Sequence, residues 1–155
     1  YLESNYLTAL LLFGFASFSD FLDGFIARKT NSESVLGEIL DPIADKLLIV
    51  FVLIGLSVNL DSFLIGFISS VIISREIWVA ALRDINSRNN ESEKTKVTFL
   101  AKTKTAIQMT SILIYLVGLT INSMMLLFFA DIVLIIALLV TILTGFQYTI
   151  STFKK

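Results

Sequence analysis

Five stretches of this chain carry no charged residue: 4–19, 47–60, 62–74, 105–130 and 132–153. The last two are each longer than the roughly 20 residues that an α-helix, rising about 1.5 Å per residue, needs to cross a bilayer's hydrocarbon core. The other three are shorter, so charged residues must complete those helices. Composition agrees. Of 155 residues, 55% are hydrophobic and only 16% charged, whereas a soluble domain is nearer half apolar and a quarter charged. One domain of this size has too much surface to hide its apolar residues from water, which leaves an all-α integral membrane protein. The net charge of −1 offers no basic excess for nucleic acid. The sequence has no cysteine and no histidine. That excludes disulfides, thiolate nucleophiles, zinc held by its usual ligands and a histidine base. Chemistry falls to carboxylates, lysine, arginine, hydroxyls and oxygen-preferring metals.

The pattern predicts a polytopic bundle of five transmembrane helices in a single domain, 1–155. The helices run over about Tyr6–Arg28, Gly37–Leu60, Phe63–Arg83, Lys102–Ile121 and Met125–Phe153. Short polar turns join the second helix to the third and the fourth to the fifth. All 12 basic residues fit on one side: Arg28, Lys29 and Lys46 by the first connection, Arg75 to Lys104 in or beside the third, and Lys154 and Lys155 at the end. The other side has Glu3 and Asp61. The positive-inside rule therefore puts the first and third connections and the C-terminus in the cytoplasm. The polar stretch of about 84–100 reads as a solvated, mobile loop. Asp131, near the outer start of the last helix, reads as a helix N-terminal charge without chemistry.

Asp20, Asp23, Asp41 and Asp45 stand where lipid should be, and an intramembrane carboxylate needs a partner or a task. Asp20 and Asp23 are spaced i, i+3; Asp41 and Asp45 are spaced i, i+4. Each pair shares one helix face. The first helix descends to the cytoplasmic side and the second climbs back, so an antiparallel hairpin brings all four to matching depth. Four carboxylates there cannot all stay ionised without a cation. A divalent metal resolves this, and all-oxygen ligands suit Mg²⁺ or Mn²⁺, or Ca²⁺. Two such ions can clamp a phosphoryl group. Two other readings remain open: pairing with Arg28, Lys46 and backbone donors, or an ion or proton pathway. The pathway is disfavoured because the cluster sits at one side and no chain of charges continues across. Gly24, Ala27 and Gly37 allow either close helix packing or approach of a flat ligand to the backbone. Pro42 frees a carbonyl near Glu38 and bends its helix beside the cluster.

Together these residues spell D-x-x-D-G-x-x-A-R-x8-G-x-x-x-D-x-x-x-D over Asp20, Asp23, Gly24, Ala27, Arg28, Gly37, Asp41 and Asp45. The pattern resembles the signature of the CDP-alcohol phosphotransferases. Eight fixed positions match by chance on the order of 10⁻¹⁰ per start at average residue frequencies. SDFLDGFIARKTNSESVLGEILDPIADKLL (19–48), SREIWVAALR (74–83) and KTKTAIQM (102–109) look like the bacterial phosphatidylglycerophosphate synthase branch. The resemblance implies a six-helix fold, of which five helices are legible and the first is expected to be missing. It also implies a homodimer and a place in the bacterial inner membrane with the active site facing the cytoplasm.

The implied reaction moves a phosphatidyl group from CDP-diacylglycerol to glycerol 3-phosphate and releases CMP. A cardiolipin synthase of the same type, accepting phosphatidylglycerol, carries the same motif; an ion transporter is the alternative from another class. On this resemblance Asp20, Asp23 and Asp41 bind two divalent cations, with Asp45 sharing one and acting as general base. Asp20, Gly24, Ala27, Arg28 and Gly37 form the nucleotide site. Arg75, Arg83, Lys102 and Lys104 are the candidates for the acceptor's phosphate, since arginine suits bidentate phosphate contacts. Interfacial anchoring competes for Arg83, Lys102 and Lys104, and a buried Arg75–Glu76 pair competes for Arg75.

Overall fold

The computed structural model describes the backbone of residues 5–30, 35–95 and 99–154. Within these, the side chains of 20–30, 35–42, 45, 92, 99, 101 and 102 lie outside the described set. Five α-helices follow one another: α1 (Tyr6–Thr30), α2 (Val35–Asn59), α3 (Phe63–Arg88), α4 (Phe99–Thr120) and α5 (Met124–Phe153). A short 3₁₀ turn, Ser92–Thr95, lies between α3 and α4. No strand occurs among the described residues. By length and composition, α3 and α5 can each cross a membrane; the apolar lengths Tyr6–Ser19 of α1 and Lys46–Asn59 of α2 are shorter.

The surface is as apolar as the interior, where polar residues lie beside a core that includes Phe13, Leu53, Ile68 and Ile112. Phe15, Phe51, Phe63, Phe128, Leu143 and Phe146 are exposed. Asn86, Gln108, Ser111, Thr141 and Thr144 are buried. Water penalises that arrangement and hydrocarbon favours it. This is a helical membrane protein in which polar residues and small residues mediate helix contact.

The α4–α5 seam shows how. Lys104, Gln108, Ser111 and Tyr115 are buried along α4 at alternating spacings of four and three. Ala130, Leu134, Ala137, Thr141, Thr144 and Tyr148 are buried along α5 with the same alternation, the period of a supercoiled helix pair. Hydrogen bonds cross the seam. Ser111 Oγ donates to the Ala130 carbonyl at 3.0 Å, and Gln108 Nε2 to Thr141 Oγ1 at 3.2 Å. The Tyr115 hydroxyl donates to Asp131. Asp131 lies two turns into α5, whose first turn has no acid. It is therefore a tyrosine partner and not the helix N-terminal charge expected from sequence.

Three helices end alike. After α2, Ser62 N–H bonds to the Ser57 carbonyl at 2.9 Å; after α4, Ser123 N–H bonds to Gly118 at 2.8 Å; after α3, Glu91 N–H bonds to Asn86 at 2.7 Å. Each bond spans five residues, and the residue before its donor is left-handed: Asp61 (φ 47°), Asn122 (φ 54°) and Asn90 (φ 57°). These are Schellman ends built on Asp and Asn, the non-glycine residues that tolerate this region best.

Part of the expected loop at 84–100 is helix. Asn86, fully buried, donates from Nδ2 to Thr152 Oγ1 at 2.9 Å, and this bond holds the last turns of α3 against α5. Ser151 Oγ then donates to the Lys94 carbonyl at 2.8 Å, tying down the 3₁₀ turn. Polar composition suggested solvation, and residues 87–91 are exposed; α5 holds the stretch at two points, Asn86 Nδ2 and the Lys94 carbonyl.

Gly118, one turn from the end of α4, lets the chain return closely. A Cβ there would stand 3.1 Å from Leu126 Cβ and Leu127 Cδ2, and 3.4 Å from the Leu127 backbone nitrogen. Gly118→Val is expected to destabilise the bundle by about 1–3 kcal/mol through overpacking. A lowered thermal midpoint in detergent would show it; an unchanged midpoint would mean that α5 can shift freely.

Candidate active site

Two sets of charged residues occupy neighbouring levels of the bundle. The first is the aspartate motif on α1 and α2. Tyr6 Oη donates to Asn59 Oδ1 at 3.0 Å, so the start of α1 meets the end of α2 and the two helices are antiparallel. Asp20 and Asp45 each lie fourteen residues along their helices from that bond, about 21 Å at the helical rise. Asp23 and Asp41 lie seventeen and eighteen residues from it. Counted along the two helices, the four positions therefore fall at similar distances from that bond. Their side chains lie outside the described residues, as do those of Gly24, Ala27, Arg28 and Gly37. The helix continues through Pro42, whose expected bend falls on the same undescribed stretch. Aspartates offer oxygen donors only, the ligand type that suits hard divalent cations.

The second set centres on Glu76, in the middle of α3. Arg75 Nη1 donates to Glu76 Oε1 at 2.8 Å. Lys104 Nζ, from α4, donates to the same oxygen. Lys46 Nζ, from α2, stands 3.7 Å from Oε2. One carboxylate thereby gathers cations from three helices. Arg75 is only 9% exposed, and its Nη2 donates to Thr144 Oγ1 of α5 at 2.9 Å. Space for its stem comes from Gly145, where a Cβ would sit 3.0 Å from Arg75 Cγ. Tyr148, one turn on from Thr144, takes both arginines against its ring: the Arg75 guanidinium carbon is 5.7 Å from the ring centre and that of Arg83 is 5.5 Å.

Three of the four cations proposed for an acceptor's phosphate therefore come together. Arg75 and Lys104 share Glu76, and Arg83 joins through Tyr148. The side chain of Lys102 lies outside the described residues. Lys104 is buried and paired, so the snorkelling alternative does not hold for it. The competing Arg75–Glu76 pair is present, yet it occupies only one of the Arg75 nitrogens that donate. The Nε atoms of Arg75 and Arg83 are buried with no hydrogen-bond partner, which leaves donors unused within the protein.

Sequence reasoning missed Glu76 as the organising residue. The available signal was an acid beside an arginine inside an otherwise apolar span. It also missed Thr144, Gly145 and Tyr148, which lie in a charge-free run and carried no signal. The two charged sets touch along the chain, since Lys46 of the second follows Asp45 of the first.

Comparison with known proteins places this geometry in a family context. A sequence model of the CDP-alcohol phosphatidyltransferase family matches residues 1–143. Proteins named CDP-diacylglycerol–glycerol-3-phosphate 3-phosphatidyltransferase are similar over much of the chain. The one from Rickettsia bellii is 41% identical over 139 residues, 89% of this chain and 75% of that protein. The one from Rickettsia felis is 40% identical over 141 residues, covering 89% and 75%. The one from Haemophilus influenzae is 36% identical over 108 residues, covering 70% and 58%. The chain thus spans between about half and three quarters of the relatives it matches.

Thr144→Val would leave the Arg75 guanidinium short of one acceptor. A loss of about 1–3 kcal/mol is expected, the usual penalty of an orphaned buried donor, read as a lower unfolding midpoint in detergent. Unchanged stability would mean that Arg75 finds another acceptor.

Proposed function

The chain belongs to the CDP-alcohol phosphatidyltransferase family, and we propose that it moves the phosphatidyl group of CDP-diacylglycerol to glycerol 3-phosphate, giving phosphatidylglycerophosphate and CMP. The observation that carries this reading is the cation set of Arg75, Lys104, Lys46 and Arg83 beside the aspartate level. Such a set suits an acceptor that is itself phosphorylated. The relatives' names point to the same acceptor. All five helices cross the bilayer in this reading, within the six-helix fold of the family, as one domain that pairs into a homodimer. The membrane is the bacterial inner membrane and the site opens to the cytoplasm. There a lipid donor dissolved in the bilayer meets a charged acceptor from solution.

In the reaction, the acceptor's hydroxyl oxygen forms a bond to the phosphorus that carries the diacylglycerol. The bond from that phosphorus to the oxygen of CMP breaks, and CMP leaves with the electron pair. Asp45 takes the hydroxyl proton; without histidine in the chain, a carboxylate is the fitting base. Asp20, Asp23, Asp41 and Asp45 would hold two divalent cations, Mg²⁺ or Mn²⁺, which when bound neutralise the diphosphate and the charge on departing CMP. Asp20, Gly24, Ala27, Arg28 and Gly37 bind the cytidine nucleotide, the small residues admitting it close to the helix backbones. Arg75, Arg83, Lys102 and Lys104 hold the acceptor's phosphate, and so orient its hydroxyl toward Asp45.

The test is CMP release from CDP-diacylglycerol by the full-length protein in detergent. Release is expected to require both glycerol 3-phosphate and Mg²⁺ or Mn²⁺, and to stop with a chelator. Asp45→Asn should lower kcat by about 100-fold or more. Release supported by phosphatidylglycerol alone would reassign the acceptor and make the protein a cardiolipin synthase. Absence of release with any alcohol would overturn the enzyme reading, and ion flux in liposomes would then be measured.

A further inference from the structure

We infer that Glu76 is a positioning residue for the acceptor: its carboxylate draws Arg75, Lys104 and Lys46 from three helices into the one geometry that receives the acceptor's phosphate. The inference rests on the glycerol 3-phosphate reading above and deepens it.

Charge arithmetic comes first. Glu76 is in contact with three cations and supplies one negative charge; Arg75 and Lys104 are buried and Lys46 is 42% exposed, so the buried part keeps a surplus of one positive charge and Lys46 adds another at its open edge. Arg83 adds another, with no carboxylate within ion-pair distance among the described residues. A pair that only neutralised buried charge would be balanced, because unbalanced charge within a membrane is costly. A surplus of this sign and size suits a phosphate dianion. The unused buried Nε donors of Arg75 and Arg83 agree with a site built for a further anion.

Geometry comes second. Both Arg75 and Lys104 donate to Oε1, while Oε2 faces Lys46. The carboxylate is the one group that touches all three cations. Remove it and three like charges from α2, α3 and α4 repel one another, with Thr144 and Tyr148 left to hold Arg75 alone. Lys46 also follows Asp45 directly, so the Glu76–Lys46 contact sets the distance between the phosphate site and the proposed base. Glu76 itself, at 15% side-chain exposure and covered by cations, need not touch substrate.

A positioning role and a merely neutralising one differ in what they do to the two substrates. In the full-length protein, initial rates of CMP release with each substrate varied give both KM values for wild type, Glu76→Gln and Glu76→Asp. For Glu76→Gln, the KM for glycerol 3-phosphate should rise about tenfold or more, with that for CDP-diacylglycerol within about twofold of wild type. Glu76→Asp keeps the charge but withdraws it by one methylene. It should raise the KM for glycerol 3-phosphate by about three- to tenfold, again sparing the other substrate. If Glu76→Gln fails to fold, Glu76→Asp carries the test. A wild-type KM for glycerol 3-phosphate in Glu76→Asp overturns the inference, as does an equal rise of both KM values or a loss confined to kcat. Either result, in a wild type that uses glycerol 3-phosphate, leaves the proposed reaction standing. A wild type that releases CMP only with an unphosphorylated alcohol overturns the reaction and this inference with it.

Discussion

Inside hydrocarbon, a charged side chain is stable only where an opposite charge or a dense set of hydrogen bonds meets it. Glu76 is where this molecule meets that constraint, and the register of four helices follows from it. Lys46 on α2, Arg75 on α3 and Lys104 on α4 converge on one carboxylate, and Arg75 reaches on to Thr144 of α5. Apolar helix faces slide past one another at little cost, because lipid is as apolar as leucine. A buried charge cluster does not slide: moving α3 or α4 by one turn, about 5.4 Å, would part the buried Lys104 from Glu76. The cluster thus acts as a register pin for the bundle.

Around that pin, polar side chains do the work that the hydrophobic effect does in soluble proteins. The Ser111–Ala130, Gln108–Thr141 and Asn86–Thr152 bonds bind α5 to α4 and to α3. Ala130, Ala137 and Gly145 keep the α5 stripe thin. Gly145 matters most, since the missing Cβ is the space through which the Arg75 stem passes. Packing and electrostatics are therefore one arrangement here. A larger residue at 145 would displace the guanidinium as well as the helix.

Much of this was legible in the sequence, for a physical reason. Charge-free runs mark helices because lipid leaves the backbone no other hydrogen-bond partner, and all five expected helices are present, each starting within three residues of expectation, α1 at Tyr6 and α3 at Phe63 as expected. The far end of α3 was not legible: Asp84 to Arg88 look like loop, and the Asn86–Thr152 bond that ties them to α5 joins residues 66 apart in sequence. Asp131 was misread for the same reason, since its partner Tyr115 lies across the α4–α5 turn. Glu76 stands next to Arg75 in sequence, but the two cations that make it central come from other helices. Long-range polar pairing leaves no periodic trace, so local pattern reveals the helices and hides the hub.

Under the proposed reaction, the two charged sets serve different substrates and must keep opposite fields apart. Carboxylates suited to cations and a diphosphate, and cations suited to a second phosphate, would neutralise each other if they intermingled. The motif acids belong to α1 and the early part of α2, with Arg28 among them, while Glu76 of α3 gathers cations from α2, α3 and α4. α2 is the element common to both, and Asp45 and Lys46 are its adjacent members. Successive helix positions lie about 100° apart around the axis, so one helix can serve two differently charged neighbours without a break in its backbone. Glu76 holds Lys46 on the cationic side. In the proposed reaction that contact would keep the two fields adjacent, so that a hydroxyl and a phosphoryl group on separate molecules meet between them.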